Sequence, residues 1–68
     1  MYHNIEKSAF ERGSYVGYGG GAAWRIRRTD GGWIAVPISG WMAHRPVRAP
    51  LLRDMSVKLA AVPVLPSA

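Results

Sequence analysis

Four glycines fall within five positions, at Gly17, Gly19, Gly20 and Gly21, and a second cluster, Gly31 and Gly32, follows Asp30. Between and around them, residues 14 to 18 (SYVGY), 22 to 29 (AAWRIRRT) and 33 to 39 (WIAVPIS) are rich in aromatic and β-branched side chains. Such runs separated by glycine are the signature of strands joined by hairpins, because glycine accepts the left-handed backbone that tight turns require. Three consecutive antiparallel strands are therefore expected. The same glycines do not make a phosphate loop. A dinucleotide fingerprint needs a helix after the glycines, and here a strand follows; a Walker loop needs a Lys-Ser or Lys-Thr, and none is present.

Register can be argued from side-chain faces, since slipping one residue moves every side chain to the opposite face. A two-residue Asp30-Gly31 turn pairs Ile26 with Ala35 and sets Arg25 and Arg27 on the face of Ile34, Val36 and Ile38. That would bury charge. A three-residue loop, Asp30-Gly31-Gly32, pairs Thr29 with Trp33 and gathers Trp24, Ile26, Ile34, Val36 and Ile38 on one face, so it is the expected arrangement. A matching Gly19-Gly20-Gly21 loop places Val16 opposite Trp24 and Tyr15 opposite Arg25.

Downstream, residues 41 to 45 (WMAHR) suit a short fourth strand, and Pro46 and Pro50 bracket a loop. Residues 50 to 61 read as a helix with Pro50 in its first turn and Leu52, Met55, Leu59 and Val62 on one side. Asp54 and Lys58 are spaced to pair one turn apart, and Pro63 ends the helix. Near the N-terminus, Asn4 is placed to cap a short helical segment carrying Ile5, Ala9 and Phe10, with Gly13 as its exit. The tail VPVLPSA holds two prolines and cannot be helical. The expected class is α+β over a single domain of residues 1–68. An N-terminal segment (1–13) precedes an antiparallel sheet of three to four strands (14–45), an amphipathic helix (50–61) packs on one face of the sheet, and a tail (63–68) follows.

The chain has 68 residues and no cysteine, so no disulfide or thiolate metal site can staple so small a core. Nine Lys and Arg against four Asp and Glu give a net charge of +5, which favours an acidic partner. No apolar run approaches the roughly 20 residues that cross a bilayer, and no signal-peptide core opens the chain, so a cytoplasmic location is expected. His3 and His44 have no carboxylate or second histidine at ligand or base-nucleophile spacing, and the serines sit in no nucleophile elbow. The expectation is a protein that is not an enzyme and has no cofactor and no metal.

With these registers, Tyr15, Arg25, Arg27, Thr29 and Trp33 share the sheet face opposite the helix, and Arg28, Arg45, Arg48 and Arg53 widen its basic footprint. Interleaved arginines and aromatics suit single-stranded nucleic acid, where rings stack bases and guanidiniums hold phosphates. The plainer alternative is a set of cross-strand cation-π pairs on a wet face. A Trp33 left in water favours an interaction surface of Tyr15, Arg25, Arg27, Trp33, Arg28 and Arg45. Trp41 raises the same question.

The run YVGYGGGAAWRIRRTDGGWIAV followed by RAPLLRDMSVKLAAV resembles small one-domain proteins carried by phages and plasmids, among them anti-CRISPR inhibitors. The resemblance implies a non-enzymatic protein that inhibits or modulates a bacterial nucleoprotein complex, such as a CRISPR-Cas effector, by occupying its surface. Direct binding of nucleic acid is the alternative. A homodimer formed through open sheet edges or the apolar tail is a third reading.

Overall fold

The computed structural model describes residues 2–40 and 44–64. Over those residues five strands, β1 (Ile5–Lys7), β2 (Tyr15–Gly19), β3 (Ala22–Thr29), β4 (Gly32–Gly40) and β5 (Val47–Ala49), precede one helix, α1 (Leu52–Ala61). The strands form one antiparallel sheet in sequence order, and α1 covers a single face. The class is α+β, as expected, with more strands than the sequence suggested. The N-terminal residues read as a capped helix instead contribute β1, which pairs Ile5 with Gly17 and Lys7 with Tyr15. Of the expected fourth strand, residues 41–43 lie outside the described residues, and His44 and Arg45 lie outside any strand. The strand after β4 is β5, placed between the prolines where a loop was expected. No helix among the described residues is long and apolar enough to cross a membrane.

Both hairpin registers differ from expectation by one residue. Gly19 pairs with Ala22 around a two-residue turn in which Gly20 (φ +61°) and Gly21 (φ +74°) are both left-handed. That is a type I′ geometry, whose twist matches the flanking strands. Thr29 pairs with Gly32 around Asp30-Gly31, so Ile26 lies opposite Ala35, Arg27 opposite Ile34 and Arg25 opposite Val36. Trp24 meets Pro37 in the same register, and an irregularity between Ala23 and Trp24 then shifts the pairing so that Ala23 meets Ser39.

The physical reason is volume. Trp24 and Ile26 are wholly buried; beside them on the core face stand Gly17, Ala35 and Pro37, with Tyr15 opposite Ile26 at the margin. A helix of ten residues presenting Met55 and Leu59 covers only a narrow strip. Adding Ile34, Val36 and Ile38 to that strip would overfill it, so they take the outer face, while Ala35 and Pro37 go inward beneath the helix and Trp33 packs at its margin.

The helix stripe behaves as expected: Met55 and Leu59 are fully buried, with Leu52 and Val62 packed at the margin. Leu51, extended, is the N-cap and accepts from the Met55 amide at 3.0 Å. Lys58 donates to the Arg48 carbonyl at 2.7 Å instead of pairing with Asp54, tying α1 to β5.

Candidate interaction surface

The outer face follows from strand alternation. One cross-strand row runs Glu6, Val16, Arg25, Val36, and the next runs Arg27, Ile34, Arg48. Tyr18 and Ala23 form a neighbouring pair on the same side. Ile34, Val36 and Ile38 thus line up along β4, flanked by Arg25 and Arg27 on β3 and by Arg48 on β5. Val36 and Ile38 are 43% and 41% exposed, far above a core aliphatic such as Ile26 at 0%. A shallow hollow of about 170 Å³ is lined by Arg25, Arg27, Ile34, Val36 and Ile38. Beyond it, Phe10 stands 99% exposed in the β1–β2 connection and borders a second hollow shared with Val16, Tyr18 and Ile38. Arginine stems lie along such aliphatic surface with their guanidiniums in water.

Electrostatics on this face are local. Arg27 Nη2 donates to Glu11 Oε2 at 3.1 Å, the one ion pair among the described residues, and the guanidinium holds the Glu11 carboxyl below its ordinary pKa. Tyr18 Oη donates to Glu6 Oε1 at 2.9 Å, a bond that pushes the phenol pKa up because it favours the neutral form. Arg25 and Arg48 carry charge with no such carboxylate partner among the described residues.

The structure divides the expected surface. Arg25 and Arg27 lie on the outer face, but Tyr15 lies opposite Ile26 and Trp33 opposite Arg28, on the side of the helix. There Tyr15 and Trp33 meet edge to face at 5.5 Å, and the Arg28 guanidinium sits 5.5 Å from the Trp33 ring centre. Trp33 is half-buried by these contacts, so the exposed indole that motivated the surface is instead part of the core margin. Thr29 sits beside the second hairpin turn, Arg45 is exposed on the connection before β5, and Arg53 is exposed on α1. Trp41 lies outside the described residues.

His44 serves the fold: its ring stacks on Trp24 at 5.4 Å, and its Nε2 donates to the Gly20 carbonyl at 2.7 Å. Among the described residues no three His, Asp or Glu side chains converge on a metal-sized site.

Sequence reasoning missed Ile34, Val36 and Ile38 as surface residues. The available signal was Asp-Gly itself, a strong mark of a two-residue hairpin, which outweighs the wish to bury every aliphatic. Comparison with known proteins finds no matching family model, no matching curated protein and no matching solved structure.

Proposed function

We propose that this chain is a non-enzymatic binding protein whose outer sheet face docks on an acidic protein surface. The observation that carries this reading is the row Ile34, Val36 and Ile38, aliphatic and half-exposed on a sheet whose other face is already covered, with arginines on both flanks. A contiguous apolar strip rimmed by charge is what protein interfaces present at their centre and rim. A protein partner is favoured over direct nucleic-acid binding because the row between the arginines is aliphatic, while Tyr15 and Trp33, the two rings expected to stack bases, face the helix side. The resemblance to phage and plasmid accessory proteins nominates a bacterial nucleoprotein complex as the target, with occupation of its surface as the mode of action.

The test is affinity capture from bacterial lysate with wild type and with Val36→Glu, each checked for fold by circular dichroism. Wild type should retain a defined protein, nuclease should not release it, and Val36→Glu should lose it by roughly tenfold or more. Equal capture by the folded variant overturns the reading. Release by nuclease transfers it to nucleic acid.

A further inference from the structure

Resting on the docking face described above, we infer that its occupant is an acidic amphipathic helix of a partner protein, seated along β4. From Ile34 to Ile38 the row spans roughly 13 Å at the strand rise. A helix sets residues i and i+7 about 10 Å apart, so side chains at i, i+3 or i+4 and i+7 match the row in length. The flanking cations set the partner's charge. Arg48 stands beside Ile34 on one flank and Arg25 beside Val36 on the other, with Arg27 already paired to Glu11, so the shoulders of the helix that meet Arg25 and Arg48 carry Asp or Glu. The inner face offers a precedent in the same sheet, where α1 seats Met55 and Leu59, one turn apart, against Trp24 and Ile26.

Two other occupants fit less well. A second copy stacked face to face with β4 over its own image would lay β3 over β3 or over β5, according to the direction of the two-fold axis, and so set arginine against arginine, Arg48 included. An added strand needs an open edge, but the edge strands β1 and β5 have three residues each, and Pro46 and Pro50 flank β5.

The experiment is a nuclear magnetic resonance titration of the whole labelled chain with synthetic peptides of roughly 14 residues, about four helical turns. One carries leucines at i, i+4 and i+7 with glutamates on both shoulders. A second replaces the glutamates by lysines, and a third keeps the glutamates but has a central proline. The acidic helix should shift the amides of Ile34, Val36 and Ile38, and its affinity should fall roughly tenfold or more in Arg25→Ala/Arg48→Ala. The lysine and proline peptides should leave those amides unmoved. No shift with the acidic helix at millimolar concentration overturns the inference, as does an equal shift with either control, or a shift that follows concentration of the chain alone. If Val36-dependent capture succeeds while the acidic helix fails, the docking face stands and the helical occupant is wrong.

Discussion

Gly19 has no room for a side chain: a Cβ built there would overlap the Leu59 carbonyl, which belongs to the helix backbone and cannot swing away. At Gly17 the neighbours are the methyl ends of Leu59 and Ile26, at 2.6 and 2.8 Å, and these can shift. The two substitutions should therefore differ. Gly19→Ala is expected to cost about 1–3 kcal/mol or more and Gly17→Ala clearly less, read from denaturant midpoints. Equal costs would mean that α1 does not approach β2 as closely as described. The glycine cluster announces a turn in the sequence. That only Gly20 and Gly21 make it, while Gly17 and Gly19 serve as a bed for a helix some forty positions later, depends on a contact no local pattern encodes.

Asn4 illustrates the same limit for whole elements. In sequence it reads as a helix cap, because a short polar side chain ahead of Ile5 and Glu6 fits that role. In the fold its amide Nδ2 donates to the Ser56 carbonyl at 3.0 Å and to the Tyr18 carbonyl at 3.3 Å, while the Ser56 hydroxyl donates to its Oδ1. A buried side chain thus joins the segment before β1 to β2 and α1. Asn4→Ala would strand these groups, so a loss of about 1–3 kcal/mol is expected in urea denaturation. A change within ±0.5 kcal/mol would show that the bridge does not hold the helix. The helix itself was legible, because the spacing of Leu52, Met55 and Leu59 repeats every turn and Pro63 closes it. β1 was not: three residues carry too little alternation to be read without the strand they pair with.

Across the molecule, the register decides which aliphatics are core and which are surface, and stability measurements can separate the two arrangements. Val36→Thr, on the outer face, should change stability by no more than about 0.5 kcal/mol, whereas Ala35→Val, wholly buried opposite Ile26, should cost about 1–3 kcal/mol. The reverse pattern would restore the three-residue loop and bury the outer strip. By itself the sequence determined the α+β class, the glycine-punctuated hairpins from residues 14 to 39, the helix before Pro63 and the excess of positive charge. All of these are local or compositional. Which side of each strand met the helix was left to tertiary packing. Both registers satisfy the strand alternation equally; Asp30-Gly31 is the local signal for the two-residue turn, and the volume available beneath a short helix is what sets Ala35 rather than Val36 in the interior.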